Sequence, residues 1–169
     1  MSKFTKLSTA LVLALGFSLA TAAVEVRFIE PDKYSDVRDF SGLRDRDLVL
    51  KDIQAHFREL GDKQLPGKDL LIEVTDVDLA GQVEPFGRRM DMLRVLRSSG
   101  RPAIELRYVL SEGGKELRQG KARLSDLGYL DRMNRYSSGD LIRYEKRMMD
   151  DWFLQEFGSE ERKLGRAGN

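Results

Sequence analysis

Two stretches of helical periodicity, one towards each end of the chain, bracket segments that alternate apolar and polar residues, and neither pattern buries its apolar side without the other. From about Asp45 to Leu60 the residues Val49, Ile53, Phe57 and Leu60 recur at helical spacing, with Gly61 placed as a C-terminal stop. From Gly139 to about Phe157 the residues Leu141, Tyr144, Met148, Met149, Trp152 and Phe153 form a broad apolar arc. Two such helices need a sheet with one apolar face to lie against.

The strand signals supply that sheet. Val24, Val26 and Phe28 alternate with Glu25 and Arg27, and Glu30-Pro31 ends the run. Leu70 to Leu79 is rich in Leu, Ile, Val and Thr and predicts a second strand, so strand, helix, strand favours a parallel crossover. Ile104 to Leu110 and about Glu116 to Leu124 flank Gly113-Gly114, where glycine meets the positive φ of a tight hairpin. Residues 31 to 46 predict a loop touching the body at Tyr34, Val37 and Phe40. Residues 80 to 103 predict an irregular segment with a short edge strand at Met92 to Leu96. The expected fold is α+β, a two-layer sandwich of about four mixed strands in the order β-α-β-β-β-α, both helices on one face.

The core must hold this fold together alone, because the chain contains no cysteine and therefore no disulfide. The first 22 residues predict a secretory signal rather than part of the domain. Lys3 and Lys6 form a basic start, Leu7 to Leu19 an apolar run too short to span a bilayer, and Ala20-Thr21-Ala22 a cleavage site. The expectation is one exported, periplasmic domain over residues 23 to 169, with no thiol for a lipid anchor. Setting Lys3 and Lys6 aside turns a formal net charge of +1 to −1, which argues against a general nucleic-acid binder.

Several residue groups carry the sequence motifs Val24 to Asp32 (VEVRFIEPD), Tyr34-Ser35-Asp36, Ile72 to Gly81 (IEVTDVDLAG), Leu106-Arg107-Tyr108 and Leu141 to Phe153 (LIRYEKRMMDDWF). Together they resemble the bacterial envelope family called domain of unknown function 3016. That resemblance implies one secreted domain and brings no established activity, cofactor or catalytic residue with it.

Five groups are candidates for function. Arg88, Arg89, Arg94 and Arg97, with Arg101, stand in a segment whose only acids are Glu84 and Asp91, and arginine forks suit phosphate or carboxylate groups on an anionic glycan, a lipid or an acidic protein. Asp76, Asp78 and Glu84, near Glu73, are the alternative: a carboxylate set for calcium or magnesium in a cation-binding protein or a hydrolase. Asp76-x-Asp78-x-x-Gly81 opens like an EF-hand loop, but Ala80 and Gly87 occupy ligand positions, and strand alternation puts Asp76 and Asp78 on the face opposite Glu73. Glu145 falls within the second helix's apolar arc beside Trp152, and its ordinary role is an ion pair with a sheet arginine; Asp150 and Asp151 fall on the far, solvent side. His56 edges the first helix's stripe without any nucleophile motif, and one histidine and no cysteine exclude a zinc site of the usual kind. Met90, Met92, Leu93 and Leu96 form a candidate apolar patch. The balance favours a non-catalytic binding module needing no cofactor.

Overall fold

A computed structural model describes residues 23–36 and 46–167. The expected signal at 1–22 and the expected contacts of Val37 and Phe40 lie outside the described residues. The elements follow as β1 (Val24–Phe28), a 3-10 turn (Pro31–Lys33), α1 (Arg46–Gln64), β2 (Asp69–Asp78), β3 (Gln82–Phe86), β4 (Asp91–Val95), β5 (Ala103–Glu112), β6 (Lys115–Ser125) and α2 (Arg143–Ala167). The main sheet has the order β1-β2-β5-β6, with β1 parallel to β2 and the other pairs antiparallel.

The layer arrangement follows from the two periodicities. Val26, Leu70, Ile72, Val74, Ile104, Leu106, Tyr108, Leu110 and Leu124 point from the sheet into one cluster with Val49, Ile53, Phe57 and Leu60 of α1 and Met148, Met149, Trp152, Phe153 and Phe157 of α2. Trp152 stands edge-on to Phe57, Tyr108 and Phe157 with ring centroids 5.6–6.0 Å apart, the T-shaped geometry in which one ring's positive edge meets another's negative face. Met148, Met149 and Trp152 are thus core, and the α+β two-layer fold is as expected. The opposite sheet face carries ion pairs such as Arg107–Glu73 and Arg123–Glu105.

Three local expectations are corrected. Gly61 does not stop α1, which runs on to Gln64; it is buried because Val24 of β1 crosses there, and a Cβ on Gly61 would lie 2.2 Å from Val24 Cγ2. β2 is not uniformly alternating. Val74 pairs with Leu106 and Asp76 with Glu105, leaving Thr75 as a bulge, and burial passes from Leu70, Ile72 and Val74 to Val77 and Leu79. A single extra residue inverts the parity beyond it, so Asp76 and Asp78 share the solvent face with Glu73 rather than opposing it. Finally, residues 82–95 form no edge of the main sheet but a two-stranded sheet of their own, β3 with β4, turning at Gly87–Met90.

The Gly61 contact sets packing against propensity. Alanine is the better helix former by about 1 kcal/mol, yet forcing a methyl into a filled site costs about 1–3 kcal/mol. Gly61→Ala is expected to lower the urea midpoint, and Val24→Ala in the same chain to reverse the sign; additive effects in that double-mutant cycle would refute the contact.

Candidate functional site

β2 ends inside the protein, and the backbone just past it needs hydrogen-bond partners where water does not reach. Three side chains from distant parts of the chain supply them. Asp36, 6% exposed, accepts from the Leu79 N–H at 3.1 Å through Oδ2, while its own N–H donates to the Val77 carbonyl at 3.2 Å. Glu145, in the first turn of α2 and 1% exposed, accepts from the Ala80 N–H at 2.7 Å through Oε1. Arg94 of β4 donates to the Ala80 and Gly81 carbonyls at 3.3 and 3.2 Å and to Asp36 Oδ2 at 2.9 Å. Alongside, Tyr34 donates to the Val74 carbonyl and Ser35 caps Asp76 through both N–H and hydroxyl.

The cluster holds two acids against one base. Burial raises Asp36 against the opposing pull of Arg94 and the Leu79 N–H. Burial also pushes Glu145 up to about 7, outweighing the Ala80 N–H and the nearby Arg94 charge. Among the described residues Glu145 has no arginine partner, which corrects the expected ion pair: its Oε2 meets no hydrogen-bond partner there, and the Arg94 guanidinium is spent on Asp36.

Arg94 makes the β3–β4 hairpin an arm anchored at its base. Gly81 donates to the Gly100 carbonyl at 2.7 Å, and Tyr129 Oη donates to the Arg97 carbonyl at 2.7 Å. Gly81 is required twice over: its φ is +81°, and a Cβ there would lie 2.5 Å from the Val95 carbonyl oxygen. Of the four candidate arginines, therefore, Arg94 faces inward and Arg97 pairs with Glu84, while Arg88 and Arg89 stand exposed in the turn with no ion-pair partner among the described residues.

The three acidic candidates do not converge on one point, although Asp76 lies near enough to Asp78 for their charges to interact. Asp76 is committed to Ser35, Glu84 to Arg97, and Asp78 is raised by burial and by the charge of Asp76. Among the described residues no group of three or more acidic or histidine side chains is arranged around one point. His56 is buried between the helices. Its Nε2 lies 2.9 Å from Asp150 Oδ1 and 3.3 Å from Tyr136 Oη, and its Nδ1 lies 3.9 Å from Glu59 Oε2. Asp150 Oδ2 in turn accepts from Arg135 and Tyr136, each at 2.7 Å. Burial works against the Asp150 charge, but the His56 and Tyr136 hydrogen bonds and the Arg135 charge outweigh it and hold the carboxyl below its ordinary range; Tyr136 is pushed up to about 12, chiefly by burial. Asp150 thus does not face water as expected, whereas Asp151 does, paired with Arg132 at 3.0 Å. Nε2 is thus engaged by Asp150 and Tyr136, while Nδ1 stands beyond hydrogen-bond distance of Glu59.

Residues that sequence reasoning missed are Asp36, Tyr136 and Phe86. Asp36 was visible only as the last letter of Tyr34-Ser35-Asp36; Phe86, 64% exposed, lies just before the turn glycine Gly87. A family model described as Protein of unknown function (DUF3016) matches residues 22–155, a span that contains every member of the Asp36, Arg94 and Glu145 cluster. No curated protein and no solved structure matches the chain.

Two measurements probe the cluster. A carboxyl whose folded value is about 7 against an ordinary 4.5 keeps its proton in the native state through that window, so stability falls as pH rises from 5 to 8. At 1.36 kcal/mol per unit the effect is at most about 3 kcal/mol, and urea unfolding of Glu145→Gln should show a flatter pH slope than the parent. Arg94→Ala leaves Asp36 buried without its cation and should cost about 3 kcal/mol; a loss within 0.5 kcal/mol, the ordinary scale for surface sites, would contradict the anchoring role.

Proposed function

We propose, starting from the fact that this chain belongs to the DUF3016 family of proteins of unknown function, that it is a non-catalytic periplasmic protein that binds a protein or an anionic envelope component through the β3–β4 arm. The observation that carries this reading is the turn itself, where Arg88 and Arg89 stand exposed, without an ion-pair partner among the described residues, at the end of an arm braced by Arg94. Free guanidinium groups on a braced support reach a carboxylate or phosphate without first breaking an internal pair. The basic and apolar start of the chain supports export. No helix among the described residues is long and apolar enough to cross a membrane.

The chemistry elsewhere is better suited to holding the fold than to turnover. His56 is enclosed by Asp150, Tyr136 and Glu59, and Glu145 is enclosed by the strand end it serves. Contact therefore narrows to Arg88 and Arg89, with Arg97 nearer the base of the arm and paired with Glu84, and Arg94 as their support.

Photo-crosslinking in intact cells from a probe at Leu93, followed by mass spectrometry, tests the proposal. One dominant envelope component, protein or lipid, is expected, and its yield should fall in the Arg88→Ala, Arg89→Ala double variant. Recovery of no component, or a yield indifferent to both arginines, overturns it.

A further inference from the structure

The turn presents more than charge. Phe86 is 64% exposed and Met90 63%, so the five residues Phe86-Gly87-Arg88-Arg89-Met90 set two bare apolar side chains around two exposed guanidinium groups that have no ion-pair partner among the described residues. Directly opposite residues share a face of an antiparallel pair, so Glu84 with Leu93 and Phe86 with Asp91 define one face of the arm. On that face Leu93, 45% exposed, lies diagonal to Phe86. Met90 holds a left-handed φ of 54°, where asparagine or glycine sits at lower cost. Along the arm Arg97 is balanced by Glu84 and Arg94 by Asp36, whereas in the turn Arg88 and Arg89 have no ion-pair partner among the described residues, Asp91 being the nearest acid in sequence.

Shape decides between the partners that such chemistry admits. A stable protein interface buries roughly 800 Å² on each partner with complementary surfaces. The turn of a two-stranded arm with five residues per strand offers only a small surface, four residues from Gly87 to Met90 with Phe86 beside them. A headgroup layer needs no matching surface: apolar side chains enter its boundary while arginines meet phosphates, the division of labour seen in amphipathic elements that lie in membrane interfaces.

We infer that the β3–β4 turn docks reversibly on an anionic phospholipid surface, Phe86 and Met90 entering the headgroup layer and Arg88 and Arg89 contacting lipid phosphates. The inference rests on the binding reading above and names its ligand. Two arginines and two apolar side chains give weak attachment, of the order of the 10⁴ M⁻¹ that a single acyl chain supplies, and attachment that salt weakens.

The test expresses the full chain, purifies the protein from the periplasmic fraction, and measures co-sedimentation with vesicles of equimolar phosphatidylglycerol and phosphatidylcholine against phosphatidylcholine alone. Binding is expected to the anionic vesicles only. It should fall about tenfold or more in Arg88→Glu, Arg89→Glu, as follows from the contribution of each basic residue at a charged surface, and comparably in Phe86→Ser, Met90→Ser. All four residues are exposed, so unchanged melting curves should accompany the losses. Phe86→Trp adds a second readout, a blue shift of emission on anionic vesicles above the constant signal of Trp152, which is 9% exposed. Equal binding to both vesicle types, or full binding by either double variant, overturns the inference. So does a dimer in solution that Phe86→Ser dissolves, because the turn's occupant is then a second copy. If vesicles fail while crosslinking from Leu93 captures one protein, the lipid inference falls and the binding reading stands; if both fail, the reading falls too.

Discussion

The backbone of Leu79, Ala80 and Gly81 leaves β2 in a place sealed from water, and its polar groups are met by a carboxylate from before α1, a carboxylate from the start of α2 and a guanidinium from β4. A buried N–H or carbonyl left unmet costs on the order of 1–3 kcal/mol, so this corner ties four segments to one another more firmly than apolar packing alone would. The position of α2 over the sheet, the path of the chain after β1 and the direction of the arm all depend on it. The aromatic cluster around Trp152 fills the space behind but sets no direction, because apolar contact is not directional.

Placing two acids and one base in that corner has an electrostatic consequence. Arg94 satisfies Asp36 and two carbonyls at once, a use for which the planar, multi-donor guanidinium is suited and a lysine is not. Glu145 is left with a backbone N–H on one oxygen and nothing on the other, which is why burial dominates its protonation. The second polar cluster, His56 with Asp150, Tyr136 and Arg135, clamps α1 to α2 and the preceding loop, so both helices are held by buried polar contacts as well as by their stripes. The turn of the arm is free of such ties, and the contrast between a braced base and an uncommitted end is what makes it the part of the molecule suited to contact.

Much of the fold was legible because it is local. The alternation in Val24 to Phe28, the stripes of α1 and α2, and the Gly113-Gly114 hairpin are read within a few residues and recur in the structure. Where reading failed, a neighbour distant in sequence or a shift of one residue was responsible. Gly61 resembles a helix stop until Val24 is seen crossing it. Asp76 and Asp78 change face because Thr75 is bulged, and a period of two turns one extra residue into a complete inversion. In the candidate site, Arg88, Arg89 and Glu145 were visible as residue types in context, but the division of the arginines into support and contact was not.

The sequence by itself determined the class: amphipathic stripes and period-two strands require helices laid on one face of a sheet, and a chain without cysteine must hold itself by that core. With one histidine and no cysteine in the sequence, it also rules out a zinc site of the usual histidine and cysteine type. Only the tertiary structure decided that Arg94 turns inward to Asp36, that Glu145 serves Ala80 instead of an arginine, and that Asp150 meets His56 rather than water. The physical reason is that these pairings join residues 58, 65 and 94 positions apart, and which buried charge meets which partner depends on distances that no local periodicity encodes.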